Sequence, residues 1–66
     1  MPNMKLLSKK IEDSGIPITV IAKKAGIIRA TFYNRLDKGD WRVSEVIAIT
    51  KVLRLTKKER DDIFLS

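Results

Sequence analysis

The chain has 66 residues, with 14 Lys and Arg against 8 Asp and Glu and a formal net charge of +6; its sequence pI is near 10.0. That length makes one domain with a small core, marginal unless helices pack well or copies associate. Cysteine and histidine are both absent, which excludes disulfides and thiolate metal sites and removes the commonest zinc ligand and general base.

Met4, Leu7 and Ile11 recur at i, i+3 and i+7 with Lys5, Lys9, Lys10, Glu12 and Asp13 between them. The spacing predicts an amphipathic first helix, stopped near Ser14-Gly15. Pro17 suits the first turn of a second helix, where its missing N–H costs nothing. That helix carries Ile21 and Ala25 on one face and runs to about Ala25. Gly26 then supplies a helix-ending backbone that a residue with a Cβ adopts only at a cost. Ala22 lies one turn earlier, where a larger side chain would push apart the helices on either side. A third helix is expected from about Arg29 to Leu36, with Phe32 and Leu36 inward.

Asp37-Lys38-Gly39-Asp40 reads as a polar turn with Gly39 as the breaker. After Trp41, the positions Val46, Ile49 and Leu53 mark a fourth helix, with Glu45 in its first turn and Arg54 at its end, both favourable to its dipole. Thr56-Lys57-Lys58-Glu59 is a capping box that starts a fifth helix ending in Ile63-Phe64-Leu65. No segment alternates over a strand length, and Pro17 argues against a strand in the β-branched stretch 16–21. The expected fold is therefore all-α, five short helices in a single domain spanning 1–66. Its core would be Leu7, Ile11, Ile21, Ala22, Ala25, Ile27, Phe32, Leu36, Val46, Ile49, Leu53 and either Ile63 or Phe64. Such a core has no room for an internal ligand.

Two short helices thus meet at one glycine, in a basic chain. Ile21-Ala22, the Ala22–Gly26 spacing, Ile27 and Phe32 resemble the helix-turn-helix of the phage Cro and repressor family, the lambda-repressor-like DNA-binding domains, over about 17–36. Trp41, the run Ile49-Thr50-Lys51-Val52-Leu53 and the terminal Ile63-Phe64 extend the resemblance over roughly Leu7 to Phe64. It implies a small Cro-like transcriptional regulator, most simply a repressor, that reads operator DNA in the major groove with the helix at about 29–36. The start at Met1 and the lack of a second domain suit a short regulator of this kind.

Carried over residue by residue, the family's base-reading positions fall on Ile28, Arg29, Ala30, Tyr33 and Asn34. Arg29 suits a bidentate contact to guanine, Asn34 one to adenine, and Ile28 and Ala30 contact with thymine methyls. Ile28, beside core Ile27, has the alternative of partial burial. Thr19, Lys23, Lys24, Thr31, Arg35, Lys38 and Arg42 are the candidate phosphate contacts. Arg35 stands where the family often has an apolar residue; its stem would pack while its head reaches a phosphate. Pro17 and Ile18 replace the family's Thr or Ser followed by Gln, so that side-chain clamp on a phosphate is gone and only helix N-terminal N–H groups remain there.

No cofactor, metal or small-molecule substrate is expected. The paired carboxylates Asp37/Asp40 and Asp61/Asp62 read as turn chemistry and a solvated helix face rather than catalysis, so the chain does not read as an enzyme. No run approaches the roughly 18 apolar residues of a membrane span. The opening MPNMKLLSKK lacks the pattern of a secretory signal, so the cytoplasm of a bacterial or phage-infected cell is the expected location. Val43, Ile47, Val52, Leu55 and Leu65 exceed what the core needs. They suggest a weak homodimer through the C-terminal helices. They also leave open an alternative role, a protein-binding module of the same fold acting as an antitoxin or as a modulator of another repressor.

Overall fold

The computed structural model describes residues 2–65; Met1, on which the short-regulator expectation leans, and Ser66 lie outside the described residues. Five helices and no strand are found there: α1 (Met4–Ser14), α2 (Ile18–Ala25), α3 (Arg29–Lys38), α4 (Val43–Val52) and α5 (Lys57–Phe64). None is long and apolar enough to cross a membrane.

The ends of these helices follow local chemistry. Asn3 caps α1 by accepting the Leu6 N–H at 3.0 Å. Gly26 ends α2 with φ +71, and the next N–H, from Ile27, returns to the Ala22 carbonyl at 2.9 Å. That double closure satisfies carbonyls which the helix end leaves unpaired. α3 runs two residues beyond the sequence expectation, through Asp37 and Lys38. The reason is that Gly39, at φ +73, is the first residue able to turn the chain left-handed; the two polar residues before it have no cause to leave the helix. At α5 both halves of the capping box form: Thr56 Oγ1 accepts the Glu59 N–H at 3.1 Å and Glu59 Oε1 accepts the Thr56 N–H at 2.9 Å.

The helices close around Leu7 and Ile11 of α1, Ile21 and Ala22 of α2, Ile27, Phe32 of α3, Ile49 of α4 and Ile63 of α5, all buried. α2 packs on α3 and α4, α1 on α3 and α5, and α4 on α5. The Cα radius of gyration is 10.4 Å, close to the roughly 11 Å expected for a compact chain of this length. Ala25, Leu36, Val46 and Leu53, expected in the core, are only half-buried, and of the last pair it is Ile63 rather than Phe64 that is enclosed.

Val52 and Leu55 correct the expectation in the other direction. Both are half-buried and pack against the core, because α5 folds back over the end of α4 and covers them. The surplus of exposed apolar side chains on the C-terminal helices shrinks to Val43, Ile47 and Leu65, at 77%, 50% and 76% exposure.

Trp41 joins the two halves of the bundle. Its ring meets Phe32 edge-on with centroids 5.3 Å apart and Phe64 at 6.1 Å. Its indole N–H points at Met4 Sδ, 3.2 Å away. Aromatic pairs in this geometry add roughly 0.5–1.5 kcal/mol each beyond the area they bury.

Candidate nucleic-acid interface

The helical repeat sorts the side chains of α3 into three faces. Phe32, fully buried, and Leu36 point into the core. Arg29, Ala30, Tyr33, Asn34 and Asp37 are exposed and form the outward stripe, at the i, i+1, i+4, i+5, i+8 spacing of one helix face. Thr31 and Arg35, one turn apart, are half-buried on a third side.

The outward stripe therefore holds four of the five expected base-reading residues. Arg29 lies over the Tyr33 ring, with its guanidinium carbon 5.7 Å from the centroid. This cation–π contact holds a long side chain against its own helix and orients it. The fifth residue, Ile28, is the N-cap of α3 and is 76% exposed. Of its two expected environments, solvent is the one realised. Neither α2 nor α3 has a side-chain hydrogen bond at its N-cap, since Pro17 and Ile28 cannot supply an acceptor. In α2 the Val20 N–H returns to the Pro17 carbonyl at 3.0 Å; the first N–H groups of each helix, from Ile18 and Thr19 and from Arg29 and Ala30, receive no side-chain cap.

Lys23 and Lys24 close α2, Lys38 closes α3, and Arg42 opens α4. Together with Thr19 they are exposed, and the four cations make no ion pair among the described residues; those that form are Lys10–Glu59, Arg35–Asp40, Arg35–Glu45, Lys58–Asp62 and Arg60–Asp61. A charge pattern in the sequence marks the same region. From Ser14 to Leu36 there is no Asp or Glu, while Lys23, Lys24, Arg29 and Arg35 fall inside that stretch. Acidic residues are confined to α1, the end of α3, the loop after it, α4 and α5.

Arg35 stands apart from the other cations. Its side chain is 15% exposed and its Nε donates to Glu45 Oε1 at 2.9 Å, while Asp40 Oδ1 lies 3.8 Å from its NH1. Its head, expected to reach a phosphate, is turned to these internal carboxylates in this structure. The hydrogen bond to Glu45 is the chief cause that raises the Arg35 pKa above its ordinary value. Burial by itself would push the Glu45 pKa up. The Arg42 N–H and the Arg35 guanidinium outweigh it and hold that carboxylate below its ordinary value.

Thr31, Arg35, Arg42, Ser44, Glu45 and the turn from Ala25 to Ile28 line an open cleft of about 400 Å³. Glu45 is the member of this cleft that sequence alone does not single out, because its place in the first turn of α4 already accounts for a carboxylate through the helix dipole. The signal that could have found it is Arg35 itself, a cation at a position otherwise suited to an apolar side chain, which needs a buried partner. No group of three or more potential metal-ligating side chains occurs among the described residues.

No protein-family model, no curated protein and no solved structure matches this chain.

Proposed function

We propose that this chain binds double-stranded DNA with α3 in the major groove and acts as a small Cro-like transcriptional regulator. The observation that carries the reading is the stretch from Ser14 to Leu36, free of Asp and Glu, which supplies the outward stripe of α3 up to Asp37 at its end. Arg29, Ala30, Tyr33 and Asn34 share the outward stripe of α3, exposed Lys38 closes that helix, and exposed Lys23, Lys24 and Arg42 lie on the elements before and after it. In this reading Arg29 pairs with guanine, Asn34 with adenine, and Ile28 and Ala30 meet thymine methyls. Thr19, Thr31, the flanking cations and the two uncapped helix ends take backbone phosphates. The resemblance of Ile21–Phe32 to the Cro and repressor family supports the same docking. Binding selection from a random duplex library at fixed salt tests it. A recovered consensus supports the reading, and recovery of unenriched sequence at every salt concentration rejects it.

A second reading is favoured by Val43, Ile47 and Leu65, which remain exposed after the core is complete. It makes the chain a module that docks on another protein, as an antitoxin or a modulator of another repressor. A pull-down that recovers a stoichiometric protein partner, with no enriched duplex, would replace the first reading by this one.

A further inference from the structure

One oxygen of Glu45 serves two elements. Oε1 accepts the Arg35 Nε–H of α3 at 2.9 Å and the Arg42 backbone N–H at the start of α4, also at 2.9 Å. Both side chains are largely buried, at 15% and 13% exposure. Asp40 in the intervening loop approaches the same guanidinium. We propose that Arg35 is a positioning residue, clamping α3 to the first turn of α4 so that the outward stripe of α3 and the Arg42 segment keep one fixed relation. The inference rests on the DNA reading for its purpose, but not for its geometry.

α3 and α4 are joined by a loop of four residues, 39–42, and α3 packs chiefly on α2 and α1 rather than on α4. The angle between α3 and α4 thus depends on few direct apolar contacts. A charge-assisted hydrogen bond, shorter and stronger than a neutral one, fills that gap. Its two ends are shielded from water, so its directionality is retained. Thr31, one turn above Arg35 on the same face, lines the cleft beside it, so the clamp borders the surface that would meet a phosphate without being that surface. Across a DNA backbone, a change of tilt of α3 would shift Arg29 and Asn34 against the base edges, while Lys38 and Arg42 would no longer follow the strand together.

The test uses Glu45→Gln and Arg35→Met. Glu45→Gln is isosteric and keeps an oxygen that accepts the Arg42 and Arg35 N–H groups, so the α4 cap survives and the clamp loses its charge assistance alone, whereas Arg35→Met removes the hydrogen bond outright. Residual dipolar couplings give the α3–α4 angle in each variant, and titration of a library-selected duplex across a salt series gives affinity and salt slope. The clamp predicts a changed interhelical angle in both variants. It also predicts about tenfold weaker binding or more in Arg35→Met, the order of a lost hydrogen bond to a charged group, and a smaller loss in Glu45→Gln, with the salt slope unchanged in both. The double variant should be no weaker than Arg35→Met alone, as expected for partners in one interaction. Arg35 as a phosphate ligand predicts a different set: Arg35→Met shallows the slope by about one, and Glu45→Gln strengthens binding by releasing a cation. That set, or an unchanged angle in both variants, overturns the clamp. A wild-type chain that binds no duplex rejects the DNA reading, and the couplings still decide the clamp.

Discussion

Lys10 Nζ lies 2.6 Å from Glu59 Oε2, tying the first helix to the last across 49 residues of chain. The other oxygen of Glu59 accepts the Thr56 N–H that starts α5. With the Lys10 hydrogen bond as the leading cause, the Glu59 pKa falls from an ordinary 4.5 to about 2, and that of Lys10 rises. A carboxylate with a depressed folded pKa adds stability above its ordinary pKa and loses it as pH falls toward the folded value. Thermal midpoints followed by Trp41 fluorescence should therefore drop between about pH 5 and pH 2. Glu59→Gln should flatten that drop; an equally steep drop in the variant assigns the acid sensitivity elsewhere. The raised Lys10 pKa acts at the other end, with its contribution complete below the ordinary value and lost as pH climbs through the folded one.

Ala22 is 2% exposed, in the segment of α2 whose carbonyl receives the Ile27 N–H at 2.9 Å. Ala22→Leu should destabilise by roughly 1–3 kcal/mol through overpacking, a large share of what so small a domain holds. Equilibrium urea unfolding measures it, and an unchanged midpoint would mean that α2 has room at this position.

Arg29→Ala and Lys38→Ala should fail differently. Arg29 lies on the outward stripe of α3 against Tyr33, so its loss should relax preference at one base pair and cost about 1–3 kcal/mol against the preferred site. Lys38 closes α3, so its loss should weaken all sequences about equally and shallow the salt slope by about one. Repeating the library selection with each variant separates the two. Identical consensus and identical affinity loss would remove Arg29 from base reading.

The four exposed cations Lys23, Lys24, Lys38 and Arg42 set the expected salt dependence. If each neutralises one phosphate, log affinity should fall with log salt at a slope of about −3 to −4, near −0.9 per contact. Fluorescence anisotropy of a labelled duplex measures it, and a flat response excludes a phosphate-led mode.

Val43 and Ile47 stand one turn apart on the exposed side of α4. With Val52 and Leu55 turned inward, the apolar surface left for a second copy is small, so self-association should be weak and strengthened by a duplex with two half-sites about 34 Å apart. Sedimentation equilibrium with and without that duplex checks this. One protein per duplex at saturation, on a non-palindromic site, rejects a homodimer.

Local signals in the chain determined the helix boundaries. Gly15, Gly26 and Gly39 carry the positive φ that ends α1, α2 and α3, and Thr56 with Glu59 writes the start of α5; these are effects of one backbone on its nearest neighbours. Spacing also determined the innermost side chains, because Leu7, Ile11, Ile21, Ile27, Phe32 and Ile49 are buried wherever the helices meet. Tertiary structure alone decided which borderline groups turned inward. Val52 and Leu55 are half-buried against the core, and Arg35 on the third side of α3 is half-buried against Glu45 of α4. No periodicity within α3 encodes that contact. A cation on a half-buried face reads the same in sequence whether a carboxylate or solvent meets it, and only the packing of a second helix chooses between the two.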